Sequence, residues 1–138
     1  MRIDRTTAER LLVTLASTAL LMSVHPPAQA HHRPSAYCSE SGDVCQNVRK
    51  VEGVRKLTIV LSSKFFKRYV LCLDKPGPVS VCETFRIKAW DDGTFGSSIN
   101  FRRRFGGGEG RYTVSWYRVP KQGPPTEQIG KTLGFHRS

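Results

Sequence analysis

The sequence predicts an all-β protein: two antiparallel sheets of about seven short strands, fastened by two local disulfides and preceded by an export signal. Three observations carry this expectation. Runs rich in β-branched and aromatic residues alternate with clusters of Gly, Pro, Asp and Ser. Beyond residue 30, apolar residues nowhere recur at helical spacing for three turns. Four cysteines lie in two pairs, each pair flanking a turn-forming segment.

Residues 1–30 stand outside that fold. Arg2, Arg5 and Arg10 precede an apolar run from Leu11 to Val24, and the small-x-small triplet Ala28, Gln29, Ala30 follows, which is the grammar of a cleavable secretory signal. The run is fourteen residues long, short of the roughly twenty that a bilayer-spanning helix needs. The mature form is therefore expected to lack a transmembrane anchor and to be secreted, either free outside the cell or associated with the wall. Residues 31–37 are polar, contain Pro34 and read as a flexible lead. Residues 38–138 have the length of a single domain. The chain holds 22 basic and 11 acidic residues, and loss of the signal removes three arginines and two acids, leaving a net charge of +10. Such a charge draws the domain toward anionic polymers through a long-range attraction that salt weakens.

The elements follow in order. Cys38 and Cys45 flank "SESGDV", and a first strand runs from Val44 to Val48, a second from Lys56 to Ser62. Lys67 to Asp74 and Val79 to Ala89 form a hairpin about "KPGP". With the turn centred on Gly77, Cys72 faces Cys82, Leu73 faces Val81, Leu71 faces Glu83 and Tyr69 faces Phe85. Opposite Cβ atoms then come within about 5 Å, near what a disulfide requires. The same register puts Tyr69, Leu71, Leu73, Val81, Phe85 and Ile87 on a core face and Arg68, Cys72, Cys82, Thr84, Arg86 and Lys88 on a wet one. Glu83 is out of place on the core face and is expected near the loop end, where water reaches it. Phe95 to Arg103 follows the turn "WDDGTFG", Arg111 to Val119 follows "FGGGEG", and Ile129 to His136 follows "KQGPP".

Four cysteines allow three pairings. The two local ones, Cys38 with Cys45 and Cys72 with Cys82, are preferred because each closes a ring around a turn. Zinc is disfavoured, since spacings of six and nine intervening residues lack the C-x-x-C knuckle.

In "GRYTVSWYRV", Tyr112, Val114 and Trp116 share one face, and Gly110 lies two residues before the tyrosine. This resembles the G-x-Y-x-C opening of strand F in immunoglobulin-like sandwiches, with Val114 standing where the cysteine would be. From "YCSESGDVC" through "YVLCLDKPGPVSVCETFRI" and "GEGRYTVSW" to "LGFH", the chain resembles small exported bacterial proteins with an Ig-like or fibronectin-III-like sandwich, mostly of unassigned function. The resemblance implies a tyrosine corner, with the Tyr112 ring inside and its hydroxyl bonded to upstream backbone. It implies no particular activity.

Catalytic sets are hard to assemble, and no enzyme is expected. Beyond the signal the histidines are His31, His32 and His136, all near a terminus, and there is no G-x-S-x-G elbow. Asp91 and Asp92 point apart along an extended chain and read as turn residues. "IGKT" lacks the earlier glycine of a phosphate loop, which falls at Pro125.

Two candidate sites remain. Arg102 and Arg104, placed on one face of a strand at Phe101 to Phe105, join Arg68, Arg86 and Lys88 in a basic stripe on a sheet. Such a stripe would bind an anionic cell-wall polymer through its charge, without reading any nucleic-acid sequence. The simpler reading of the same residues, and the preferred one, is a solvated surface that protects strand edges. Another envelope protein is the other expected partner class, and oligomeric state is left open. The alternative function is copper binding. Some exported β-sandwich proteins hold copper through an amino-terminal histidine, and a cut after Ala30 would free His31 to offer an amine and an imidazole, with His32 or His136 adding a second ring nitrogen.

Overall fold

The structure, a computed structural model, describes residues 33–138; His31 and His32 lie outside the described residues. Among the described residues ten strands make two antiparallel sheets around a shared core, with one short helix. The strands are β1 (Ala36–Cys38), β2 (Val44–Asn47), β3 (Lys50–Val51), β4 (Val54–Leu61), β5 (Arg68–Asp74), β6 (Ser80–Arg86), β7 (Lys88–Ala89), β8 (Phe95–Asn100), β9 (Gly110–Arg118) and β10 (Gln128–Arg137). Helix α1 spans Phe101–Phe105, between β8 and β9. One sheet has the order β1-β2-β4-β8-β7, with β3 paired to β4; the other has the order β10-β9-β5-β6.

The core sits between the sheets. Leu57, Ile59 and Leu61 from β4 meet Tyr69, Leu71 and Leu73 from β5 and Tyr112, Val114 and Trp116 from β9. Their spacing of two puts each set on one face of its strand, so every strand offers an inner apolar row to the other sheet. Where the sheets part near α1, the gap is filled by aromatic rings packed edge to face: Phe101 lies 5.0 Å from Tyr112 and 5.1 Å from Phe135. Such offset and T-shaped contacts suit the ring quadrupole.

All seven expected strands form, and the β5/β6 register pairs Cys72 with Cys82, Leu73 with Val81, Leu71 with Glu83 and Tyr69 with Phe85, as anticipated. The disulfides join Cys38 to Cys45 and Cys72 to Cys82, with Cα atoms 4.1 and 4.0 Å apart. The tyrosine corner forms as well: the Tyr112 hydroxyl donates to the Gly108 carbonyl at 2.8 Å and accepts from the Gly108 N–H at 3.0 Å.

Four local expectations are corrected. "FRRRF" is helical rather than the end of a strand. The Asn100 side chain accepts from the Arg103 N–H as a cap, and Phe101 and Phe105, four apart, fall on one buried face. The expected strand from Val79 to Ala89 breaks at Ile87, whose buried side chain and N–H bond to Lys67 anchor the point where the chain leaves β6 and joins the other sheet as β7. Within the expected flexible lead, Ala36 and Tyr37 belong to β1, while the Pro34 and Ser35 carbonyls accept from Gly134 and Val48. Glu83 lies in mid-strand, not at the loop end, and is satisfied by an ion pair with Arg104 of α1.

The sequence also left two small devices unread. Glu52 and Gly53, both at positive φ (50° and 77°), close the β3/β4 hairpin, the backbone that a two-residue type I′ turn needs. Gln46 is a buried polar side chain, 1% exposed, that reaches from β2 to β10. Its Nε2 donates to the Ile129 carbonyl at 2.8 Å, and its Oε1 accepts from the Lys131 N–H at 3.1 Å. The clamp sits at the irregularity in β10 between Ile129 and Leu133.

Candidate functional site

The break at Ile87 and the helix at 101–105 together build a strongly cationic hollow. Strand β6 is an edge of one sheet, and β7 with β8 forms an edge of the other. Between these edges runs a trough in two connected parts. One, of about 580 Å³, is lined by Lys56, Phe85, Ser98, Ile99, Arg103 and Arg104. The second, of about 340 Å³, shares Phe85, Ser98 and Ile99 and adds Arg86, Lys88 and Trp90. The floor is apolar and the rim is cationic. Trp90 packs against Gly96, where a Cβ would come within 2.7 Å of the indole ring and 2.5 Å of the Ile59 carbonyl oxygen, so only glycine admits the ring at that place.

Charge in the trough is nearly uncompensated. Among the described residues two ion pairs form, Arg104 with Glu83 and Arg118 with Glu127. Only the first touches the trough, and it holds the Arg104 guanidinium over the Phe85 ring, 5.7 Å from its centroid. Arg103, Arg86 and Lys88 are exposed and Lys56 is half-buried, none of them in an ion pair among the described residues.

The five arginines and lysines expected to form a stripe are thus divided. Arg86, Lys88 and Arg104 come together in the trough, joined by Lys56 and Arg103. Arg68 is directly opposite Arg86 on the β5/β6 ladder, a like-charge pair that costs a few tenths of a kcal/mol and persists because both heads reach water. Arg102 is turned away by the helix to a different hollow. Lys56 was missed because its strand neighbours suggested only alternation, and Arg103 because the strand reading aimed it inward.

His136 sits among cations. His136 is exposed on β10, opposite Arg111, and shares a hollow of about 250 Å³ with Arg33 and Arg111. A metal ion there would face two guanidinium groups. Among the described residues no three His, Cys, Asp or Glu side chains converge as a metal site, and the remaining expected ligands, His31 and His32, lie outside the described residues. Asp91 and Asp92 occupy a turn. The Thr94 hydroxyl and N–H both donate to Asp92, holding its carboxyl below the usual range.

No helix among the described residues is long and apolar enough to cross a membrane. No family model, curated protein or solved structure matches the chain.

Proposed function

We propose that this chain is an exported Ig-like interaction module, without catalytic activity of its own, that engages an anionic polymer of the cell envelope along the trough between β6 and β8. The observation that carries the reading is the convergence of Lys56, Arg86, Lys88, Arg103 and Arg104 on an apolar floor with a single carboxylate among them. An extended polyanion laid along the trough would meet charge on both rims and bury its less polar face on Phe85, Ile99 and Trp90.

The Ig-like assignment is supported by strand order. β2-β4-β8-β7 follows the A-B-E-D sheet and β10-β9-β5-β6 the G-F-C-C′ sheet, with the Tyr112 corner on the strand in the F position. Export is supported by the signal grammar of residues 1–30 and by two closed disulfides with no free cysteine among the described residues.

Retention on immobilised heparin, used as a model polyanion, tests the reading. The Arg86→Glu/Lys88→Glu/Arg103→Glu variant should elute at clearly lower salt than a charge-matched control, Lys64→Glu/Lys121→Glu/Arg111→Glu, whose residues lie outside the trough. Equal elution of the two variants would mean that net charge, and no particular groove, drives retention.

Copper binding is a second reading, favoured by one placement. Arg33 lies in the hollow of His136, and His31 is two residues earlier, within about 7 Å of chain. The two guanidinium groups beside His136 oppose it. Intact-mass analysis with one equivalent of Cu(II) decides: a one-to-one adduct lost in both His31→Ala and His136→Ala supports a shared site, and no adduct removes it.

A further inference from the structure

Four cations from four different elements converge on the hollow that receives Arg102. Lys50 of β3, Arg55 of β4, Arg102 of α1 and Arg137 of β10 surround Phe101 and Phe135 in a space of about 220 Å³. No Asp or Glu side chain lines it, the terminal carboxylate of Ser138 is the one acidic group at its wall, and neither ion pair of the described residues reaches it.

Two of the guanidinium groups are fixed by packing. Arg55 donates to the Val48 carbonyl at 2.7 Å and lies 4.7 Å from the centroid of Phe135. Its partial removal from water lowers its pKa. Arg137 lies 6.0 Å from the centroid of Phe101, and its Nη1 is buried without a hydrogen-bond partner. That group occupies the space a Cβ at Gly107 would need, 1.3 Å from where the atom would stand. Beneath them Phe101 and Phe135 are 1% and 8% exposed and packed edge to face, so the floor is rigid. Arg102 is exposed on the short helix and Lys50 on the hairpin, and both line the hollow.

Like charges gathered over a low-dielectric floor repel one another, and an anion relieves the repulsion. The ligand's size follows from the space, which is smaller than the roughly 300 Å³ at which pockets for larger organic ligands begin. Its charge follows from four cations against the one terminal carboxylate of Ser138, an excess that calls for more than one negative charge. Guanidinium forks match the oxygen geometry of tetrahedral oxyanions, and the lysine adds a point charge. We infer that this hollow is a binding site for a single phosphate or sulfate group, free or as the ester of a small molecule. The site shares no cationic residue with the trough and does not depend on the polymer reading.

Amide-resolved NMR titration of the purified protein with inorganic phosphate, inorganic sulfate and phenyl phosphate tests this, with acetate as a monoanion control. Saturable one-to-one shifts should centre on Arg55, Arg102, Phe135 and Arg137. Arg102→Gln and Arg137→Gln should each weaken binding by about tenfold, the loss of one charge-assisted contact, while Arg86→Glu/Lys88→Glu leaves it within about twofold. Because Arg102 is exposed, its variant tests the site without disturbing the core. Saturation by the inorganic ions marks a free oxyanion as ligand, and saturation by phenyl phosphate alone marks an ester. Linear shifts scattered over all basic residues, acetate binding as tightly as phosphate, or an unchanged Arg102→Gln affinity would overturn the inference.

Discussion

Gln46→Met is the perturbation that most directly probes what holds the two sheets in register at β10. The substitution keeps the length and nearly the volume of the side chain while removing both hydrogen bonds to the irregular part of that strand. The Ile129 carbonyl, on a residue 7% exposed, loses its donor, and the N–H of the exposed Lys131 loses its acceptor in a part-buried bond. An unsatisfied buried group costs about 1–3 kcal/mol, so assigning about 2 to the carbonyl and about 1 to the N–H gives a loss of about 3 kcal/mol. For a domain of about a hundred residues, with an unfolding entropy near 2.1 cal/mol/K per residue, that loss lowers Tm by about 14 °C. The assay is urea denaturation of the purified protein followed by Trp fluorescence, with a thermal melt alongside. The midpoint should fall with the slope unchanged. Gln128→Met, which removes one exposed bond to Thr132, should stay within about 0.5 kcal/mol of the parent. A Gln46→Met loss below about 1 kcal/mol would refute the clamp and mean that apolar packing alone positions β10.

Three further outcomes follow from the same geometry. Tyr112→Phe removes the bonds to Gly108 and should cost about 1–1.5 kcal/mol, with faster hydrogen exchange at the Gly108 amide; an unchanged exchange rate there would sink the corner's structural role. Burial of the Tyr69 hydroxyl, bonded to Ser97 at 2.8 Å, raises its pKa from 10.0 to about 12. The folded state therefore favours the protonated phenol, so this stability is fully present below pH 10 and is lost as pH rises toward 12. The full difference is about 2.7 kcal/mol, of which about 2.3 is lost by pH 12, read as the change in ΔG between pH 9 and 12 that the parent shows and Tyr69→Phe lacks; identical pH profiles would contradict it. Loss of either disulfide, tested as Cys38→Ala/Cys45→Ala and Cys72→Ala/Cys82→Ala, should lower stability by about 2.5–3 kcal/mol on the loop-entropy model. A parent protein whose unfolding midpoint ignores reductant, although thiol counting shows both bridges open, would exclude that contribution.

Much of the fold was legible because strand patterning is local. The alternation in Tyr69, Leu71 and Leu73 and the turn centred on Gly77 are enough to fix a register, and the cysteine pairing follows from that register without knowledge of the rest of the chain. The Tyr112 corner was legible through the resemblance of Gly110 and Tyr112 to the immunoglobulin-like strand F pattern, and its hydroxyl bonds only four residues away. The helix at 101–105 was not. Five residues are too few to show helical periodicity, and Phe-Arg-Arg-Arg-Phe fits a strand as well as a single turn until the core claims both rings on one side. The candidate trough suffered from the same limit: Arg86 and Lys88 have the parity of one strand, but the chain changes sheets between them.

By itself, the sequence determined the all-β character, the seven main strands, the disulfide pairing and the excess of positive charge. These depend on residue type and on spacings of a few positions, which nearest-neighbour sterics and turn chemistry decide. The tertiary structure alone decided which cations meet. Whether Arg103 or Arg102 faces the trough, whether Lys56 joins Arg86 across the gap between sheets, and whether Arg55 and Arg137 share a floor of Phe101 and Phe135 all depend on how two sheets close over one core. Electrostatic and packing energies act through space, between residues that the chain itself keeps dozens of positions apart.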